Sequence, residues 1–149
     1  MSQAFAERSS TDDPKGKIVP QSAVGVIIVE GRNLIARSAN VLPPEIKRTF
    51  EVSDKLVIED DRYYLIEHAE RAAIFKAFLM KADMDNATIY CTRFPCSDCA
   101  RAIIWAGIKR AVFAGGFAGE TKWLTSQRAA LRMLRESGIK VRYLPTGYL

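Results

Sequence analysis

Two short fragments of this chain carry side chains with the types and spacing to bind a metal. They are Glu67-His68-Ala69-Glu70 and Phe94-Pro95-Cys96-Ser97-Asp98-Cys99. One imidazole and two thiolates supply three ligands to a zinc ion and leave a fourth position for water, as catalytic rather than structural zinc sites do. Zinc lowers the pKa of such a water toward neutrality. Glu70, two residues after the histidine, is then placed to move the proton. The chemistry available to these residues is hydrolysis. Each piece has a plainer reading. A lone histidine is commonly structural, a CxxC is also a redox pair or half of a zinc knuckle, and the helix dipole alone favours a glutamate in a first turn. A redox pair, however, leaves His68-Ala69-Glu70 without a role, and His68 is the only histidine in the chain.

Both fragments open helical patterns, and that dictates where the metal must sit. Cys96 and Cys99 are three apart at the start of a helix, so their thiolates face the same way. His68 and Glu70 are two apart and would diverge in mid-helix. They converge only if the ion lies end-on, at the N-terminus of their helix. Both helices then aim their positive ends at the metal, which favours thiolate over thiol.

The elements that position these fragments follow from hydrophobic patterning. Ser2 to Arg8 reads as a short helix before the Ser9–Pro14 turn cluster. Ala23 to Val29 reads as a buried strand, Glu30-Gly31-Arg32-Asn33 as a hairpin turn, and Leu34 to Ser38 as the returning strand. A long connection, Ala39 to Leu65, carries Pro43-Pro44 and the acidic residues Glu51, Asp54, Glu59, Asp60 and Asp61. Connections of that length in compact domains are usually functional or have structure of their own. Helix is expected from His68 to Met80 and strand from Ala87 to Thr92. A second helix follows from Ser97, with Ala100, Ile103, Ile104 and Trp105 as core and Gly107 as its cap. Arg110 to Ala114 is a strand, Gly115-Gly116 a turn, Trp123 to Ser137 an amphipathic helix and Lys140 to Leu144 a last strand. Helices alternating with strands after an opening hairpin predict an α/β fold, three layers (α/β/α) around a mixed sheet.

Composition narrows the class. With 149 residues, 48% hydrophobic and 26% charged, the chain suits one globular domain. No apolar run approaches the roughly 20 residues of a membrane span, and residues 1–16 lack the apolar stretch of a secretory signal. With two of the three cysteines assigned to a metal and Cys91 in an apolar strand, no disulfide framework is expected. A cytoplasmic protein is expected. The net charge of +5 is uneven, with nine Lys and Arg against two Asp and Glu in residues 101–149. That excess can attract phosphate or nucleic acid, but it also describes a solvated helix face, and no aromatic-interleaved basic stretch accompanies it. Nucleic acid is therefore not the expected partner.

The H-x-E…P-C-x-x-C arrangement is the signature of zinc deaminases. The runs Glu67-His68-Ala69-Glu70-Arg71-Ala72-Ala73-Ile74, Thr88 to Arg101, and Ala106-Gly107-Ile108 resemble the cytidine and deoxycytidylate deaminase superfamily, most of all its deoxycytidylate (dCMP) deaminase branch. The resemblance implies the cytidine deaminase-like fold with a five-stranded sheet. It also implies one zinc ion per chain on His68, Cys96 and Cys99, with Glu70 as the proton shuttle. The implied reaction is hydrolysis of dCMP or CMP at C4 to dUMP or UMP and ammonia, in a homo-oligomer. Asn40 matches a family asparagine that contacts sugar or base, and the Ala69 backbone amide would help hold the base carbonyl. Lys47, Arg48 and Arg93 are candidates for the phosphate. Some positions depart from the branch: Pro43-Pro44-Glu45 stands where many members have Pro-Arg-Gly, Ala72 replaces an asparagine, and Lys122-Trp123 stands in place of a late Tyr-His pair. Alternative substrates are therefore a free base, a nucleoside, a modified pyrimidine, or a purine including adenine in RNA. A non-catalytic zinc-fold nucleotide-binding protein is a further alternative. The expected organisation is a flexible or short helical N-terminus over residues 1–16, then a single zinc-dependent deaminase domain over 17–149.

Overall fold

The computed structural model describes residues 1–46, 61–115 and 121–144. Lys47 and Arg48, with most of the acidic connection, lie outside the described residues. The strands are β1 (Gly25–Glu30), β2 (Asn33–Ala39), β3 (Thr88–Cys91), β4 (Arg110–Ala114) and β5 (Lys140–Leu144). They form one sheet in the order β2-β1-β3-β4-β5. β1 pairs antiparallel with both β2 and β3, whereas β3, β4 and β5 run parallel. The sheet is therefore mixed, as expected. The β1–β2 hairpin needs only a tight turn at Gly31, where φ is +58°, but each parallel step needs a crossover helix. Those crossovers are α5 (Ser97–Trp105) and α6 (Thr121–Glu136), while α4 (Ala69–Leu79) precedes β3.

Strand alternation sorts the sheet into two faces. Val26 and Ile28 of β1, Ile89 and Cys91 of β3, and Ala111 and Phe113 of β4 share one buried cluster with α4, α5 and α6. Each large apolar side chain buried there contributes about 1.5–3 kcal/mol. Helix α4 meets the sheet through Ala69, Ala73 and Ala77, small residues that bring its axis close to the strands. Over β1 on the opposite face lies α1 (Ser2–Ala6). It packs so closely that a Cβ on Gly25 would overlap the carbonyl oxygen of Ala4. After α1 come a 3₁₀ turn (Glu7–Ser10) and α2 (Pro14–Ile18), whose N-cap Asp13 accepts a hydrogen bond from the Lys15 amide at 2.9 Å. Helix α3 (Asp61–Leu65) ends just before the metal-binding fragment.

One expectation fails. Trp105 was placed in the core by its apolar character, yet it is 87% exposed. At about 100° per residue, Trp105 lies some 200° around the helix from the buried Ile103, and so faces outward. Phe75 and Leu79 of α4 are likewise outward, at 49% and 84% exposed.

Candidate active site

Two helix starts meet at one point. His68 is the N-cap of α4 and Cys96 the N-cap of α5, both with extended rather than helical backbone. The His68 and Cys96 carbonyls accept the first-turn amides of Ala72 and Ala100, at 2.9 and 3.0 Å, so each helix is fully wound immediately beyond its cap. The His68 side chain makes no capping bond to its own helix. The imidazole Nδ1 instead faces both sulfurs, 3.5 Å from Cys96 Sγ and 3.4 Å from Cys99 Sγ. All three ligand atoms lie within 4.8 Å of one another, and they are the one such group among the described residues. One nitrogen and two sulfurs on a largely buried site fit a zinc ion bound by three protein ligands.

Neighbouring residues fix these caps. The His68 backbone N–H donates to Glu67 Oε1 at 2.8 Å, and Arg71 Nε donates to the same oxygen at 2.6 Å. On the α5 side, the Ser97 amide is one of the first N–H groups, which have no intrahelical acceptor. It donates to Ser126 Oγ of α6 at 2.9 Å. Gln127, itself buried, donates from Nε2 to the Phe94 carbonyl at 3.2 Å. Both ends of Phe94-Pro95-Cys96-Ser97 are thus tied to α6.

Charge is divided unevenly among the protein groups of the site. Hydrogen bonding to Cys99 brings the Cys96 thiol down to about 4, with the bond to His68 adding to the effect against its burial. Hydrogen bonding to Cys96 lifts the His68 imidazole to about 9, against desolvation. The Cys99 thiol is pushed well up by its bond to Cys96 and by burial. Glu70 is only 4% exposed, and burial pushes its carboxyl up, with His68 opposing. A carboxyl in this environment can hold a proton as well as accept one.

Of the remaining expected residues, Ala69, Asn40 and Arg93 lie within the described residues. Ala69 is fully buried as the first residue of α4, its amide among the first-turn N–H groups. Asn40 is brought to the site by an antiparallel bridge between Val41 and Glu67. Its Oδ1 accepts the Val24 amide at 2.8 Å, and its carbonyl accepts the Asp12 amide and the Thr11 hydroxyl, at 2.8 and 3.0 Å. Asn40 Nδ2 makes no hydrogen bond with the described residues. Arg93 is exposed in the β3–α5 loop, close enough to Arg8 for its charge to lower the Arg8 pKa beneath the main effect of desolvation.

Three contributions escaped sequence reading. The Thr11-Asp12 turn holds Asn40, Arg8 stands beside Arg93, and Ser126 and Gln127 hold the Cys96 loop. Each contact spans many residues of chain. The one local signal was the amphipathic pattern of α6, which gives the helix a buried face without saying what that face touches.

A mixed five-stranded sheet with a His-Cys-Cys group and a buried glutamate at two helix N-termini defines the architecture of the cytidine deaminase-like hydrolases. The MafB19-like deaminase family model matches residues 5–138, and the chain belongs to that family, within the cytidine and deoxycytidylate deaminase superfamily of hydrolytic deaminases. The chain is 31% identical over 143 residues to a deoxycytidylate deaminase of Mus musculus, covering 89% of this chain and 72% of that protein. It is 26% identical over 132 residues to an uncharacterized deaminase in the luxG 3' region of Aliivibrio fischeri, covering 87% and 84%. A dCMP deaminase from the cyanophage S-TIM5 shares the fold, with a TM-score of 0.68 at 21% identity over 96% of this chain and 92% of that one. Among the described residues no helix is long and apolar enough to cross a membrane.

Proposed function

We propose that this chain is a zinc-dependent deaminase of a cytosine nucleotide, converting dCMP or CMP and water to dUMP or UMP and ammonia. The observation that carries the reading is the convergence of His68 Nδ1, Cys96 Sγ and Cys99 Sγ within 4.8 Å, beside the buried Glu70. Similarity to deoxycytidylate deaminases supports the nucleotide. When bound there, zinc supplies a Lewis acid that brings the pKa of water toward neutrality. Glu70 takes one proton from the attacking water and passes it to N3 of the ring, then takes the second from the new C4 hydroxyl and delivers it to the leaving amino group. One C–O bond forms at C4, and the C4–N bond then breaks. The water oxygen becomes the new carbonyl and ammonia departs, so atoms and charge balance without a further reactant.

The first-turn amide of Ala69 holds the base carbonyl, and Asn40 offers Nδ2 to base or sugar. Arg93, with Arg8 beside it, meets the phosphate. A homo-oligomer belongs to the same reading, because the outer face of α4 leaves Phe75, Phe78 and Leu79 exposed. The test is ammonia release by zinc-loaded protein across cytosine, cytidine, deoxycytidine, CMP, dCMP, adenine, guanine and structured RNA, with chelated protein as the control. Turnover confined to CMP or dCMP is expected. Turnover of a base, a nucleoside or RNA in preference to both nucleotides defeats the nucleotide assignment. Silence on the whole panel with zinc bound defeats the enzymatic one.

A further inference from the structure

Past the end of β2 at Ala39 the chain leaves the sheet, and Asn40-Val41-Leu42 runs between two other segments. On one side, Val41 and Glu67 exchange backbone hydrogen bonds at 3.2 and 2.8 Å. Glu67 Oε1 in turn accepts the His68 amide. On the other side stands Asp12, after the 3₁₀ turn at Glu7–Ser10 and before α2. Its amide donates to the Asn40 carbonyl at 2.8 Å, and its Oδ2 accepts the Leu42 amide at 3.1 Å. In a parallel β-ladder a residue donates to the carbonyl before its partner and accepts the amide after it. Asp12 reproduces that pattern around Val41, with its side chain in place of its own carbonyl. Thr11 adds a second donor to the Asn40 carbonyl, its hydroxyl at 3.0 Å, and accepts the Asp13 amide. Thr11, Asp12 and Leu42 are all buried.

We propose that Thr11 and Asp12 are positioning residues for substrate recognition, their bonds to the Asn40–Leu42 segment fixing the direction in which Asn40 presents Nδ2. This rests on the deaminase reading above, in which Asn40 meets base or sugar. The Asn40 Oδ1 is committed to the Val24 amide at 2.8 Å, so the direction of Nδ2 follows the backbone that carries it. That backbone lies beyond the ladder of β2. Without Asp12 the Leu42 amide would be a buried donor deprived of its acceptor. Hydrogen bonds weaken steeply once their angle falls below about 120°, so a modest turn of the Asn40 backbone forfeits the contact to substrate. The metal ligands stand apart from this clamp, because the first turns of α4 and α5 place them. Loss of the clamp therefore weakens substrate binding and spares the metal group. Neither Thr11 nor Asp12 touches substrate in this role, and proton transfer stays with Glu70.

The test is a double-mutant cycle on the zinc-loaded full chain. KM and kcat for dCMP, zinc content and Tm are measured for Asp12→Ala, Asn40→Asp and the two combined. Asn40→Asp keeps the acceptor for Val24 and removes Nδ2. Losing one hydrogen bond to substrate corresponds to about a ten-fold change, so KM in Asp12→Ala should rise about ten-fold, with kcat within about three-fold of wild type. Zinc content should be unchanged. Beside Asn40→Asp the same change should add less than about two-fold to KM, because residues that act through one another are not additive. Asp12→Asn retains an oxygen for the Leu42 amide and should bring KM back to within about two-fold of wild type. A lowered Tm with KM unmoved, while wild type deaminates dCMP, makes Asp12 a structural strap and overturns the proposal with the deaminase reading intact. An equal rise of KM in both backgrounds shows that Asp12 does not act through Asn40 and overturns the proposal as well. Wild-type protein that holds zinc but turns over no cytosine nucleotide overturns the reading itself, and the inference with it. Should Asp12→Ala fail to fold, Thr11→Val decides in its place by removing the hydroxyl donated to Asn40. KM should then rise about three-fold in the wild-type background and not beside Asn40→Asp, and an unmoved KM overturns the role.

Discussion

The metal-ligand pocket and its rim are built on opposite principles. In the pocket, His68, Glu70, Cys96 and Cys99 come from two short fragments, each read off within five residues of chain. Two helix N-termini deliver them, and α-helical geometry does the rest. In the rim, Asn40, Arg93 and Trp123 come from three distant segments, the Trp123 ring lying 6.3 Å from that of His68. Asn40 and the helix that carries Trp123 are held by contacts that span the molecule, Thr11 to Asn40 and Ser126 to Ser97. The difference shows which features travel with a motif and which depend on the surrounding fold. The His-Cys-Cys group is encoded locally, and the residues proposed for recognition are assembled by the fold.

The largest expected effect lies at the centre of the pocket. Glu70→Gln keeps size and hydrogen bonding but removes the carboxylate proposed as the proton shuttle, and general acid–base catalysis is worth about 10²–10⁴-fold. Ammonia release should fall by that factor with zinc content unchanged. Near-wild-type turnover would make Glu70 a helix-dipole residue and nothing more.

Metal uptake tests the division of charge in the same pocket. At pH 7 the metal-free protein holds Cys96 as thiolate, at about 4, while His68, at about 9, and Cys99, raised further, keep their protons. Zinc requires a neutral imidazole and two thiolates. Binding at pH 7 should therefore release about two protons, from His68 and Cys99. Zinc affinity should then rise with pH from 7 toward 9 and fall on acidification, as more protons compete for the ligands. Calorimetry in buffers of different ionisation enthalpy counts those protons. Release of none would mean that the metal-free thiols and imidazole are not arranged as described.

The rim should be more forgiving. Asn40→Ala removes the acceptor of the Val24 amide, and leaving a partly buried donor unpaired costs about 1–3 kcal/mol. Thermal unfolding should show that loss together with a raised KM. Asn40→Asp retains the acceptor and should recover most of the stability without recovering the Nδ2 contact, which separates the two roles. Gly25→Ala drives a methyl group into the Ala4 carbonyl and should cost about 1–3 kcal/mol as an overpacked contact. That loss should be read in Tm, with zinc content preserved. A loss of turnover in Asn40→Ala as large as that of Glu70→Gln would erase the distinction between rim and pocket.

The smallest effect belongs to Trp105. It is 87% exposed, and surface substitutions usually stay within about 0.5 kcal/mol. Trp105→Phe should leave Tm and turnover alike unchanged. A marked change in apparent mass with protein concentration in this variant would instead show that the residue is covered by another chain.

Sequence by itself determined the order of strands and helices, the mixed sheet and the three ligand types. The reason is that each depends on short-range periodicity or on residues a few positions apart. Gly107 is an example: it follows α5, sits at φ +77° and was legible as a helix stop from its type and place. Even the meeting of the His-Cys-Cys group at two helix N-termini followed from the two-residue spacing of His68 and Glu70, which no mid-helix arrangement can satisfy. Trp105 marks where that reasoning stops, because apolar character says nothing about which side of a helix meets a neighbour. Only the tertiary structure placed Arg8 beside Arg93, closed the Thr11-Asp12 turn on Asn40, and set Trp123 against His68. Those partners lie tens of residues apart, and their proximity is decided by how three layers pack, a property of the whole core that no local pattern contains.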